Sequence, residues 1–239
     1  MSKRHRQSVK ASKRKRQEAR PKRRAPYLPY LIVVGFAGAL VAVLFVVTLG
    51  SSGSGDVEAA YPAGYTPPVQ GDADAPVEFV MWGDFQCTFC KRFETQTLPR
   101  LRADYVETGK VKFVWRNFAN YGQESEDAAV AAHCAGEQGQ FWEYHDTLYL
   151  NQSGYNSGAF GRSRLVQFAD DLSLNTDAFQ SCLARPKYDA VLSADHSAGR
   201  DQGVRGTPGF FLNGQFVAGA QPYETFASII EGELAAAGQ

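Results

Sequence analysis

Apolar and polar positions along the chain mark out segments of different kinds. Leu28 to Leu49 is a run of 22 residues, apolar or small except Tyr30 and Thr48, without a charge. Further on, the pattern changes to short periodic blocks. Val77–Trp82 is an apolar run suited to a buried strand, and Val111–Phe118 is a second. Between them, Phe89 to about Tyr105 follows a helical period, with Phe93, Leu98, Leu101 and Tyr105 inward and Pro99 placed to kink it. Glu124–Glu137 is Ala-rich and Phe141–Leu150 is aromatic on one face. Leu165, Phe168, Ala169 and Leu172 fall at i, i+3, i+4, i+7, and Phe179, Cys182 and Leu183 do much the same, with Asn175-Thr176 offering a helix cap between them. A helix over about Asp189–Gln202 completes this stretch. Strands return at Phe210–Leu212 and Phe216–Ala218 around the turn pair Asn213-Gly214. A last helix starts near Pro222 and shows Phe226, Ile229, Ile230 and Leu234 on one face. Strands separated by helices predict an α/β domain with a mixed sheet.

Charge separates the two ends. The 239 residues carry no net charge, yet residues 1–26 hold twelve Lys or Arg against Glu18 alone, a net of +11, and the remainder is acidic by the same amount. The uncharged run Leu28–Leu49 lies directly after the basic segment and is long enough to cross the roughly 30 Å hydrocarbon core as a helix. Tyr27 and Tyr30 sit where interfacial aromatics belong, and the basic flank orients the N-terminus toward the cytoplasm. A Lys/Arg run can also be a nucleic-acid tail, but one abutting a span is a topology signal. A cleaved signal peptide is a poorer fit, because the run exceeds the roughly 7–15 residues of an h-region. The predicted organisation is a basic cytoplasmic tail over 1–27, a transmembrane anchor over 28–49 and a Gly/Ser/Pro-rich flexible linker over 50–71. One domain over 72–239 follows, on the far side of a bacterial cytoplasmic membrane. No nucleic-acid partner is expected. All four cysteines lie beyond the span, which suits an oxidising compartment.

Cys87 and Cys90 carry the candidate chemistry. They stand three apart at the predicted first turn of a helix, directly after the first strand. There a disulfide closes with little backbone movement, and free N–H groups and the positive dipole end favour a thiolate on the first sulfur, which is expected to face solvent. A thiolate attacks disulfides, so this is an exchange centre. The pair alone would also serve as half of a zinc site.

Three blocks decide between these. Asp84-Phe85-Gln86-Cys87-x-Phe89-Cys90, then Gln140-Phe141-Trp142-Glu143-Tyr144-His145-Asp146, then Gly203-Val204-Arg205-Gly206-Thr207-Pro208 resemble DsbA-like thiol–disulfide oxidoreductases, from about Asp72 to Gly232 and in the family order. The resemblance implies a thioredoxin-like mixed sheet with a helical insertion over about 122–203. It implies that Cys87 is the exposed attacking cysteine and Cys90 the buried resolving one, with Thr88 and Phe89 as active-site neighbours. It also implies that Thr207-Pro208 forms the cis-proline loop that receives an extended substrate. Two positions depart from the family. Thr88 stands where relatives often have Pro. Met81 stands where many thioredoxin-fold enzymes have a buried acid, and Glu78 and Asp84 lie elsewhere on the strand and turn. For Cys134 and Cys182, the resemblance and an oxidising compartment imply a structural disulfide; two buried free thiols, or a zinc site built from all four cysteines, are the alternatives.

The expected activity is oxidation of exported proteins carrying cysteine pairs, with a quinone-linked membrane thiol oxidase as reoxidant. No flavin or nucleotide fingerprint is present, and no cofactor or metal is expected. A reductase or isomerase of the same fold, and a redox-inert thiol metal-binding or chaperone module, are the rival readings.

Overall fold

The computed structural model describes residues 61–238. The basic tail expected over 1–27, the span expected over 28–49 and the first part of the linker lie outside the described residues. No helix among the described residues is long and apolar enough to cross a membrane.

Five strands form one mixed sheet in the order β1-β3-β2-β4-β5. The central strands, β2 (Val77–Gly83) and β3 (Val111–Asn117), run parallel in the register Val77↔Val111 through Gly83↔Asn117. On the far side of β2, β4 (Gly209–Leu212) and β5 (Gln215–Ala218) form an antiparallel hairpin. Asn213 and Gly214 both take positive φ in its two-residue turn, which is why that pair reads so clearly in the sequence.

Alternation along β2 explains how both faces are covered. Val77, Phe79 and Met81 point to one side, where Phe79 meets Phe93, Phe113, Phe210 and Phe226 at ring-centroid distances of 5.3–6.1 Å. The helices there are α1 (Thr88–Gln96) and the last helix, α8 (Tyr223–Ala236). Val80 and Trp82 point to the other side with Val114, Phe118 and Val204. Gly199 lets its helix approach that face, since a Cβ there would lie 2.6 Å from Trp82 Nε1. That helix is α7 (Asp189–Asp201), the last of five inserted between β3 and β4. The other four are α3 (Gln123–Gly136), α4 (Phe141–Asn151), α5 (Arg162–Asp171) and α6 (Thr176–Leu183).

Two expectations need correction. The helix expected from Phe89 to Tyr105 is not continuous: α1 ends at Gln96, a short α2 (Leu98–Leu101) follows with Pro99 in its first turn, and a π-helical turn spans Arg102–Val106. Proline has no N–H to continue the ladder and its ring crowds the preceding turn. Phe93, Leu98, Leu101 and Tyr105 all remain buried. The described part of the linker expected over 50–71 is also structured. Val69–Gln70 form an edge strand, β1, antiparallel to β3, and Tyr61 and Tyr65 pack against the core. Burial of these aromatic rings outweighs the local freedom that a Gly/Pro-rich composition suggests.

Candidate active site

The turn after β2 brings the cysteine pair to the carboxyl end of the parallel strands, and side chains from the insertion hold it there. Asp84 is buried and accepts three hydrogen bonds of 2.7 Å, from the Gln86 N–H, the Asn120 N–H and the Ser125 hydroxyl. The fully buried Gln86 amide donates to Ser125 Oγ at 2.9 Å. From α4, the Tyr149 hydroxyl donates to the Asp84 carbonyl, and Gln152, just past the helix end, donates to the carbonyls of Phe85 and Cys87. Phe85 stacks on Trp115 of β3 at 4.9 Å. Buried backbone groups need partners, and the Asn120 N–H and the carbonyls of Asp84, Phe85 and Cys87 find them in residues more than thirty positions away.

Cys87 is the N-cap of α1, its sulfur accepting the Cys90 N–H at 3.4 Å in the role usually taken by a Ser or Asp oxygen. The Cys87 thiol also lies 3.3 Å from the Thr207 carbonyl, to which it donates. Both cysteines are free thiols. The Cys90 thiol, then the Thr207 side chain and the N–H groups of Cys90 and Phe89, outweigh burial and bring the Cys87 pKa down to about 6. Cys90 goes the other way. Burial, then the neighbouring Cys87, push it well above the ordinary thiol range. The two sulfurs are therefore split into one that ionises readily and one that holds its proton.

The sequence led to an exposed Cys87, and this needs correction: Cys87 is 0% accessible, with the Thr207 carbonyl 3.3 Å from its sulfur. Nor do the nearby cations turn toward it. Lys91 Nζ donates to the Gln152 carbonyl at 2.9 Å, while Arg92 donates to the Ala220 carbonyl and lies over the Phe89 ring. The Thr88 hydroxyl faces Tyr155 at 3.5 Å, leaving the N–H groups of Phe89 and Cys90 to serve the sulfur.

The remaining candidates fall into place around the pair or away from it. The Thr207–Pro208 peptide bond is cis, and the loop lies beside Cys87. Phe89 is an exposed aromatic, as is Tyr155. Cys134 of α3 and Cys182 of α6 are joined in a disulfide within the insertion and take no part in the site.

Sequence reasoning passed over a buried polar group behind the cysteines. Glu94 follows Cys90 by one helical turn, and both are buried. Its Oε1 lies 3.6 Å from His145 Nε2, while His145 Nδ1 meets Asp146 Oδ1 at 2.9 Å and Arg102 clasps both Asp146 oxygens at 2.9 and 3.1 Å. The four-residue spacing from Cys90 and the His145-Asp146 pair of the aromatic block were the available signals. Glu94, His145 and Asp146 bring donor atoms within 4.8 Å of one another. The Asp146 oxygens are already occupied and a guanidinium stands beside them, so this is a poor cation site.

Relatives share this frame. The family model described as Thioredoxin matches residues 64–232. A stretch of 170 residues is 34% identical to the Na(+)/H(+) antiporter NhaA 1 of Salinispora arenicola, covering 70% of this chain and 24% of that one, so the chain spans about a quarter of that relative's length. Disulfide bond formation protein D of Bacillus subtilis is 25% identical over 182 residues, 75% of this chain and 82% of the relative. The crystal structure of oxidised BdbD from Bacillus subtilis matches with a TM-score of 0.67 at 25% identity, over 71% of this chain and 93% of that chain. With the family match spanning most of its length, the chain belongs to the thioredoxin family, in the DsbA-like group of thiol–disulfide oxidoreductases.

Proposed function

We propose that this protein is a membrane-anchored, extracytoplasmic thiol–disulfide oxidoreductase that introduces disulfides into exported proteins through Cys87 and Cys90. The observation that carries the reading is the division of labour between the two sulfurs: Cys87 caps α1 with its pKa lowered to about 6, while Cys90 is buried and holds its proton.

In the oxidase direction, a substrate thiolate attacks Cys87 of the Cys87–Cys90 disulfide. A bond forms between the substrate sulfur and Cys87 Sγ, and Cys90 leaves as a thiolate that takes up a proton. The second substrate thiolate then attacks the first substrate sulfur, closing the substrate disulfide and releasing Cys87 as a thiolate. Two electrons have passed to the protein. A membrane thiol oxidase of the quinone-linked kind removes them. Because the Cys90 thiol, and after it the N–H groups at the helix end, favour the Cys87 thiolate, it is a good leaving group, and the reduced form is stabilised relative to the disulfide. The name of the Bacillus subtilis relative, disulfide bond formation protein D, supports this direction. The uncharged run Leu28–Leu49 after a basic tail supports an anchor with the N-terminus in the cytoplasm.

Acid quenching of growing cells, followed by alkylation of the denatured protein, reads the resting state of Cys87 and Cys90. A mainly disulfide population is expected. A mainly dithiol population would mean that the protein is fed electrons and acts as a reductase or isomerase.

A further inference from the structure

The group behind the cysteine pair is unusual among the described residues in how many of its polar atoms lack partners. Both Glu94 carboxyl oxygens, His145 Nε2 and Arg102 Nε are buried without a hydrogen bond. Buried polar atoms are normally paired, and a cluster of unpaired ones asks for an explanation. Packing alone gives none, since an apolar side chain at Glu94 would fill the same space without the desolvation cost.

We propose that Glu94, held against His145 and Arg102, exchanges the proton that Cys90 gains and loses during disulfide exchange. This rests on the functional reading above. Cys90 and Glu94 lie one turn apart on the buried face of α1, a spacing that brings Cβ atoms to about 5–6 Å. Tyr149 belongs to the same buried group: its ring centre is 5.1 Å from His145 and its hydroxyl bonds the Asp84 carbonyl. Charges on Cys90, Glu94, Asp84 and Cys87 all act on that hydroxyl. Met81 stands at the strand position where many thioredoxin-fold enzymes have a buried acid, and Glu94 is the one carboxyl on α1.

The groups facing Glu94 set its charge. Burial pushes its carboxyl well above the usual range, Arg102 opposes that, and Asp146 adds to it. His145 is kept neutral by burial, with Asp146 acting against this. Burial thus favours the protonated form of Glu94, and His145 Nε2, 3.6 Å from its Oε1, is a neighbouring acceptor. When a substrate thiolate attacks Cys87 and the Cys87–Cys90 bond breaks, the electron pair stays on Cys90 Sγ. The Glu94 proton goes to that sulfur, and the carboxylate left behind faces Arg102. Solvent restores the proton before the next turnover. In the reverse direction, the Glu94 carboxylate takes the Cys90 proton as Cys90 attacks Cys87 and the substrate thiolate leaves.

Glu94→Gln is the informative variant, because a neutral amide matches the protonated carboxyl in size and polarity but cannot exchange a proton. Oxidised full-length protein in detergent is mixed with a reduced dithiol peptide between pH 5 and 9, and the reaction is followed by stopped-flow fluorescence. Glu94→Gln is expected to slow the reaction about tenfold or more and to make its rate depend on the concentration of buffer acid. Glu94→Asp should restore part of the rate. Alkylation of Cys87 in the reduced variant should keep the wild-type pH profile. Coincident wild-type and Glu94→Gln rates across the range would overturn the inference while leaving Cys87 exchange intact. A wild-type protein inert toward thiols and disulfides alike would overturn the functional reading and this inference together. If Glu94→Gln does not fold, wild-type rates in H2O and D2O at matched acidity decide: slowing in D2O supports proton transfer in the step, and equal rates contradict it.

Discussion

At the scale of single residues, the chemistry depends on two sulfurs with opposed environments. Cys87 is as buried as Cys90, so exposure does not separate them. What separates them is position: Cys87 caps the helix and receives the Cys90 thiol and then N–H groups, while Cys90 lies inside the first turn and receives mainly desolvation. The pH consequence has a definite sign. A thiol lowered from 9.0 to about 6 in the folded, reduced protein stabilises that form fully above pH 9, and the stabilisation is lost as pH falls through about 6. Each tenfold preference for the thiolate raises the potential of the couple by about 30 mV. Thiolate absorbance at 240 nm in the reduced protein should therefore titrate near pH 6, and Cys87→Ser should abolish that transition. A titration near 8.5 would remove the electrostatic basis of the oxidase reading. The pair and the Thr207-Pro208 loop are legible in the sequence because each is a contiguous motif. Asp84, Gln152 and Glu94 are not, because their roles arise from contacts made across the fold. Asp84 reads as a turn acid until Ser125 and Asn120 are seen to close on it.

At the scale of elements, the insertion acts as a clamp as well as a cover. Helix α4 supplies Tyr149 and His145, and Gln152 at its end fixes the cysteine loop. The Cys134–Cys182 disulfide ties α3 to α6 across a sequence separation of 48, a loop for which chain entropy gives about 4 kcal/mol of stabilisation. Replacing both with Ala should lower the denaturant midpoint correspondingly while leaving the Cys87 titration unchanged. An unchanged midpoint would show that the helices hold together without the bridge. Helix positions were readable because their apolar faces keep a 3.6-residue period over several turns. The edge strand Val69–Gln70 was not: two residues show no period, and only pairing with Val114 and Phe113 makes them a strand. The break after Gln96 was foreshadowed by Pro99. The π-helical turn that carries Arg102 toward Asp146 had no local signal.

At the scale of the whole molecule, the proposal joins a basic tail, an uncharged 22-residue run and an acidic redox domain into one arrangement. In the proposed arrangement, an anchor would keep the domain close to both newly exported chains and a membrane reoxidant. There the acidic domain would carry Cys87 where a disulfide can persist, and Cys90 would release whatever Cys87 binds. Substituting Cys90 removes that release, so a covalent intermediate should accumulate. The most direct test expresses full-length Cys90→Ser and separates its adducts under non-reducing conditions. The account predicts reductant-sensitive complexes with exported, cysteine-containing proteins, all lost in Cys87→Ser/Cys90→Ser. No adducts, or adducts that persist without Cys87, would contradict it.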